Sequence, residues 1–321
     1  MILGNDAARG AFLSAMRGPA LHHAWLFAGP EGIGKGSFAR AAAIRMLAEA
    51  ASESLSEGLE VPSSSSTRML IAAGSHPDYR ELARQPKDGK EDGDLARSIT
   101  IAQVRALQPM FATAPTMGPR RVVLIDAVDD LERGGANALL KNLEEPPAGT
   151  IFLLISQAPG RLLPTIRSRC RLLRFEPLDA ATVESVVRGH LPDTNATEIV
   201  ALVKAGNGSP GRALGYAGLD LAALDTAIAK IAEDGDVRNT TRSRLAKMLA
   251  LKAAQPRYDA FLDRAPAFIA AEAARRSGAR LRDALDAYDA ARTLSGAARG
   301  LSLDQQGTVF EMAGLVARLA R

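Results

Sequence analysis

The sequence predicts an α/β region built on a parallel sheet, followed by an all-α region. Three observations carry this. The runs Arg121–Asp126 and Thr150–Ser156 are strand-like, and between them Ala136, Leu139, Leu140 and Leu143 recur at i, i+3, i+4 and i+7, one face of an amphipathic helix. Upstream, the apolar run Ala24–Ala28 leads through Gly29-Pro-Glu-Gly-Ile-Gly-Lys35 into a helical run ending near Ala50. From Pro177 onward the pattern changes to helices. Strands alternating with helices favour a parallel sheet, because parallel neighbours need a crossover between them.

The remaining elements follow in order. Ala7–Met16 reads as a short helix. Ala51–Thr67, rich in serine and glutamate and containing Ser63-Ser-Ser-Ser66, reads as a flexible insertion. Gly74–Asp78 is a turn into a short strand over Tyr79–Leu82; His76 has no partners at metal spacing and reads as loop packing or capping. Arg84–Arg97 mixes both charge signs with glycine, the composition of a solvated loop. Ile101–Ala112 reads as one helix with Val104, Leu107 and Phe111 on a face. Pro146-Pro147 stops the helix that precedes them, since proline removes a donor and clashes with the turn before it. Leu172–Phe175 reads as a closing strand. Asp179 can cap a helix carrying Val183, Val186 and Val187, and Thr194 or Asn195 the next, with Ile199, Leu202 and Val203. Gly206–Arg212 is a turn opening a third. Beyond Gly218, Leu221, Leu224, Ile228 and Ile231 form one helical stripe, and Val309, Met312, Val316 and Leu319 form the last.

At 321 residues and 47% apolar content, the chain is long enough for two or three cored domains. The formal net charge of +4 is a mild excess, compatible with nucleic acid nearby. The single cysteine, Cys170, excludes an internal disulfide framework and a cysteine-based zinc site. There is no basic-then-apolar leader pattern and no apolar run near the ~20 residues that span a bilayer, so the expectation is a cytoplasmic protein without a membrane partner.

Strand, glycine-rich loop and helix is the setting of a phosphate-binding loop. Gly29, Gly32 and Gly34 let backbone N–H groups turn inward, the helix N-terminus adds positive potential, and Lys35 reaches the outer phosphates. The complete motif has Ser or Thr directly after the lysine, to ligate magnesium. Here that position is Gly36, and Ser37 lies about 100° further round a helix. Val122–Asp126 fits the second strand of such a site, with Asp126 placed to hold magnesium through water. Active ATPases of this type put Glu next, as general base; here Ala127 follows, with Asp129 and Asp130 beyond the strand end. Two readings of the loop stand: a nucleotide site, or a turn kept as backbone scaffold. Arg161, Arg167, Arg169, Arg171 and Arg174 read, from composition, as a basic surface or a nucleic-acid patch.

Asn137-Ala-Leu-Leu-Lys-Asn-Leu-Glu-Glu-Pro-Pro147, Gly74–Tyr79 and Ser168-Arg169-Cys170 together resemble the clamp-loader branch of the AAA+ ATPases, as found with bacterial DNA polymerase III. The resemblance covers about Leu21 to Arg212. It implies a RecA-like P-loop AAA+ domain over residues 1–176, a small three-helix lid over 177–217 and a C-terminal helical collar over 218–321. It implies a hetero-pentameric loader with delta and the gamma or tau ATPases as partners, acting on the beta sliding clamp and on primed DNA through the assembled complex. By the same resemblance Arg169 is an arginine finger for the neighbouring subunit, Arg212 takes the sensor-2 position and Ser156 lies near sensor 1. The defects at Gly36 and Ala127 imply a subunit without turnover of its own, binding ATP or ADP weakly at best through Gly29, Gly32, Gly34, Lys35, Gly36, Ser37, Asp126 and Arg212. Many members carry a four-cysteine zinc module where this chain has its serine-rich segment, so no zinc is expected. The alternatives are an active gamma- or tau-like ATPase, using Ser37 for magnesium and Asp129 or Asp130 for the water, and a protein binding DNA directly through its arginines.

Overall fold

The structure is a computed structural model that describes residues 3–18, 21–87, 95–301 and 303–320. It divides into two compact units, one of Met1–Val186 with Gly208–Gly211 and one of Val187–Asn207 with Arg212–Arg321.

The first unit is a five-stranded sheet of β1 (Ala24–Ala28), β2 (Tyr79–Ala83), β3 (Arg121–Asp126), β4 (Thr150–Ser156) and β5 (Arg171–Arg174). The strands are all parallel, in the order β2-β3-β4-β1-β5. Its helices are α1 (Asp6–Arg17), α2 (Lys35–Ala50), α3 (Ser66–Ala72), α4 (Ile101–Arg105), α5 (Gln108–Phe111), α6 (Arg133–Glu144) and α7 (Pro164–Arg167), with α8 (Ala180–His190) running out of the unit. Period-2 alternation divides the strand side chains between two cores. Trp25, Phe27, Val122, Leu124, Leu153 and Ile155 join Phe12 of α1 and Phe38 of α2 on one face. Leu26, Val123, Ile125, Phe152 and Leu154 join Val104, Leu139, Leu143 and Ile166 on the other. On the first face Phe12, Trp25, Phe27, Phe38 and Phe175 form an aromatic cluster with ring centroids 4.9–5.8 Å apart, several of them edge to face.

The chain leaves β1 for the far edge at β2 and returns through β3 and β4, while β5 closes on the other side of β1. That reversal makes the carboxyl ends of β1, β3 and β4 the natural place for a ligand crevice. Gly29, Asp126 and Ser156 stand there.

Two expectations are corrected. Residues 101–112 form two short helices, because Pro109 lies in the first turn of α5 and has no N–H to give to the carbonyl four residues back. The segment 51–67 is tied into the fold rather than flexible. Leu59 and Val61 are buried, and the Arg45 guanidinium donates to the carbonyls of Ser56 and Glu60. Glu53 accepts from Ser66 Oγ at 2.9 Å and from Thr67 N and Oγ1 at 2.9 and 2.6 Å, and the Ser65 side chain caps α3. Of the expected loop 84–97, residues 88–94 lie outside the described residues; nearby, Arg84 pairs with Asp130 at 3.0 Å.

The second unit is helical: α9 (Ala196–Gly206), α10 (Pro210–Gly215, whose first two residues count with the first unit), α11 (Leu221–Asp234), α12 (Thr240–Leu249), α13 (Gln255–Ala273), α14 (Gly278–Leu301) and α15 (Gln305–Ala317). The expected stripes are buried: Leu221, Leu224, Ile228 and Ile231, and Val309, Met312, Val316 and Leu319. Asp179 accepts from Thr182 N at 2.8 Å and Asn195 caps α9 through Glu198 N at 2.9 Å. Among the described residues no helix is long and apolar enough to cross a membrane.

Candidate functional site at the strand ends

Gly32 and Gly34 hold φ of 74° and 95°, the left-handed region where glycine carries no penalty. Gly29 is required for another reason: a Cβ there would sit 2.2 Å from the Phe175 carbonyl oxygen. The loop therefore has the turned backbone of a phosphate cradle. Lys35 opens α2 and is buried, with Nζ donating to the carbonyls of Gly29 at 2.7 Å and Pro30 at 2.6 Å. Burial lowers its pKa, offset in part by the carboxylates of Asp126, Glu31 and Asp129. The segment 208–211 binds the outer side of the loop, through Ser209 Oγ to the Glu31 carbonyl and Gly211 N to the Gly32 carbonyl, each 2.8 Å.

The ground beyond Lys35 is taken by an arginine. Arg40 Nη2 lies 3.1 Å from Asp126 Oδ2, and Arg40 Nε donates to both Glu81 oxygens at 2.9 and 3.2 Å. Tyr79 Oη donates to Glu81 at 2.8 Å and fixes that carboxylate in turn. A Cβ on Gly36 would lie 2.9 Å from Arg40 Nη1 and 2.9 Å from Asp126 Oδ2. Ser37 is exposed. A magnesium ion in a complete site of this kind sits between the hydroxyl after the lysine and the acid at the strand end. These residues do not fit it: the hydroxyl is missing and the acid already faces a guanidinium. Among the described residues no group of three or more His, Cys, Asp or Glu stands ready for a metal.

The acids after β3 are occupied as well. Ala127 is buried where a general base would stand. Asp129 accepts from Ser156 Oγ at 2.9 Å, Gln157 N at 2.8 Å and Ala158 N at 3.2 Å, so it seals the end of β4. Asp130 is held by Arg84. Ser156, expected near the sensor-1 position, is fully buried and serves that seal.

Arg169 stands with α6 and α7. Its guanidinium pairs with Glu144 at 2.7 Å and donates to the Thr165 carbonyl at 3.0 Å, and its side chain keeps 34% of its surface exposed. Glu144 is the last residue of α6, so the Asn137–Pro147 segment supplies the tether. The Cys170 thiol is pushed up to about 12 by burial, which makes it a packing group rather than a nucleophile. Arg171 lies over the Trp25 ring at 5.1 Å. Arg212 is an exposed residue of α10 and belongs to the second unit.

Gly29–Ser37 and Asp126 thus lie together, with Ser156 near them, while Arg169 is anchored elsewhere on the same unit. Sequence reasoning missed Arg40, Glu81 and Glu144. One signal for Arg40 was available: it lies four residues after Gly36 on a helix, so the two share a face.

A family model described as DNA polymerase III, delta subunit, matches residues 4–179, more than half of the 321 residues. DNA polymerase III subunit delta′ of Pseudomonas aeruginosa is 38% identical over 205 residues, 62% of this chain and 57% of that protein. The subunit delta′ of Bacillus subtilis is 37% identical over 164 residues, 51% of this chain and 45% of that protein. DNA polymerase III subunit tau of Salmonella typhimurium is 31% identical over 182 residues, 57% of this chain and 26% of that protein. The chain spans about half the length of the delta′ relatives it matches.

Proposed function

The chain belongs to the DNA polymerase III delta-subunit family, and on that premise we propose that it works as a clamp-loader subunit of the delta′ type. In this reading it hydrolyses no ATP itself and lends Arg169 to the ATP site of a neighbouring gamma or tau subunit. It acts in a cytoplasmic hetero-pentamer that also holds delta and places the beta sliding clamp on primed DNA. The three-part division at 176/177 and 217/218 belongs to the same proposal, with Arg212 as a sensor-2 residue. The loop Gly29–Lys35 is left as a weak site for ATP or ADP, used as a structural clip.

The observation that carries this reading is the fate of the acids beyond β3. An active ATPase needs a carboxylate free to orient water at the strand end, and Asp129 and Asp130 are both committed to the fold. This disfavours the gamma- or tau-like alternative. Arg169 is held by an ion pair with Glu144 and a bond to the Thr165 carbonyl on a side chain that stays 34% exposed, and a stronger anion can outcompete that pair. An arginine supplied in trans stabilises charge on the phosphoryl group in flight and is worth about 10³–10⁵ in rate.

The test is ATP turnover by a reconstituted loader carrying this chain or its Arg169→Lys variant, with clamp and primed DNA present. Lysine keeps the charge and loses the planar fork. Turnover is expected to fall about tenfold or more at the site Arg169 faces while the complex still assembles. Unchanged turnover would remove the finger from the reading.

A further inference from the structure

We propose that the outer edge of β5 is a docking site for an extended, acidic segment of a partner polypeptide, which joins the sheet as a further strand. The surface exists whether or not Arg169 serves a neighbour.

The two edges of the sheet are finished differently. At β2, Val122 N donates to the Asp78 carbonyl, so by alternation Tyr79, Glu81 and Ala83 turn their backbone groups away from β3. The outward carbonyls of Tyr79 and Ala83 are taken by side chains, Arg80 Nη1 at 2.7 Å and Gln103 Nε2 at 2.9 Å. An edge blunted in this way resists pairing with another strand.

At β5, Phe175 N donates to the Ala28 carbonyl, so Leu172 and Arg174 turn their N–H and C=O groups away from β1. Among the described residues no strand lies beyond β5, and no side chain meets those groups. The edge therefore offers donors and acceptors in alternation. A polypeptide strand satisfies both, whereas the phosphates of a nucleic acid bring acceptors alone.

The side chains say which strand fits. β5 reads Arg171-Leu172-Leu173-Arg174, and of these Leu173 is the buried one. Leu172, 44% exposed, and Arg174 line an open groove of about 730 Å³ with Pro159, Pro164 and Arg167. Arg171 stands on the other face, over the Trp25 ring. Among the described residues neither Arg167 nor Arg174 makes an ion pair, and the acid in the lining is Glu176. Three guanidinium groups against one carboxylate select a negative partner. The same charges disfavour a second copy of this chain, because β5 laid antiparallel along β5 sets arginine opposite arginine. Cross-strand neighbours then specify the segment: a carboxylate opposite Arg171, an apolar side chain opposite Leu172 that fills the groove, and a carboxylate opposite Arg174.

The test uses the full chain and two labelled peptides with the cores Glu-Leu-Leu-Glu and Lys-Leu-Leu-Lys, which read alike in both strand directions. A single-stranded DNA oligonucleotide is the third probe. By fluorescence anisotropy the acidic peptide is expected to bind at least about tenfold tighter than either other probe. Arg174→Glu should weaken it about tenfold. Leu172→Pro deletes an outward N–H and spares the bonds to β1, so it should weaken binding about fivefold more than Leu172→Ala does. Amide exchange of the wild type, followed by NMR, keeps the test open if the proline variant does not fold. On addition of the acidic peptide, exchange at Leu172 and Arg174 should slow at least about tenfold, while Leu173, whose N–H faces β1, changes little. Equal binding of the two peptides, or no binding of the acidic one, overturns the proposal. Binding without that alternating protection overturns it too. DNA bound more tightly than the acidic peptide would make these arginines a nucleic-acid patch instead.

Discussion

The loop at the end of β1 and the arginine after α7 are the two places on which the proposed function rests, and their polar groups are held differently. At the loop the polar groups are satisfied from within. Lys35 turns to the carbonyls of Gly29 and Pro30, Asp126 to Arg40, Asp129 to the backbone after β4, and Asp130 to Arg84. At Arg169 the guanidinium donates to the Thr165 carbonyl and forms an ion pair with Glu144, on side chains that are 34% and 48% exposed. Such a pair is worth about 0–1 kcal/mol, so it orients the guanidinium without committing it. In the proposed reading the groups at the loop serve the fold, and Arg169 is steadied for use by a neighbouring chain.

The sharpest way to break the comparison is to remove Arg169 altogether. Arg169→Ala should lower turnover at the facing ATPase about 10³-fold, measured under single-turnover conditions in the assembled loader. The isolated wild-type chain, with every loop residue intact, should show no magnesium-dependent hydrolysis above background in a phosphate-release assay. Turnover by the isolated chain would mean that the locked groups are not locked.

The next effect is on stability, and it grades how tightly the loop is built. Gly29→Ala places a methyl group against the Phe175 carbonyl, a backbone atom that cannot step aside. It should cost about 3 kcal/mol in urea denaturation. Gly36→Ala meets the ends of two side chains instead, which can shift, and should cost only about 1 kcal/mol. Equal costs would imply that the Arg40–Asp126 pair is as rigid as backbone.

Much of this was legible in the sequence because it is local. Continuous apolar runs mark the central strands, and the caps at Asp179 and Asn195 stand one residue before the helices they start. The glycine loop and the absence of a hydroxyl at residue 36 could be read directly. What fills that absence could not, because Arg40, Glu81 and Asp126 lie on three elements whose meeting depends on the strand order. The break at Pro109 was a local rule overridden by attention to Val104, Leu107 and Phe111, which suggested one face. The segment 51–67 misled through composition: serine and glutamate resemble a linker until one sees which serines donate to which glutamate.

That segment gives the smallest effect, and it tests whether inward satisfaction extends beyond the loop. Burial alone would raise the Glu53 pKa; hydrogen bonds from Ser65, Thr67 and Ser66 outweigh it and bring the carboxyl down to about 2. A folded-state pKa below the unfolded value contributes stability above the unfolded pKa and loses it as pH falls toward the folded one. The contribution should therefore be complete above about pH 4.5 and disappear as pH falls toward about 2. Discounted for solvent screening, it should amount to about 1 kcal/mol. Urea denaturation of wild type and Glu53→Gln at pH 7 and pH 3.5 reads it directly. The wild type should lose more of its stability on acidification than the variant, by about two-fifths of that amount at pH 3.5 and by nearly all of it near pH 2. If both lose the same, Glu53 is not held by those hydroxyls, and the segment is nearer to the loose insertion its composition suggests.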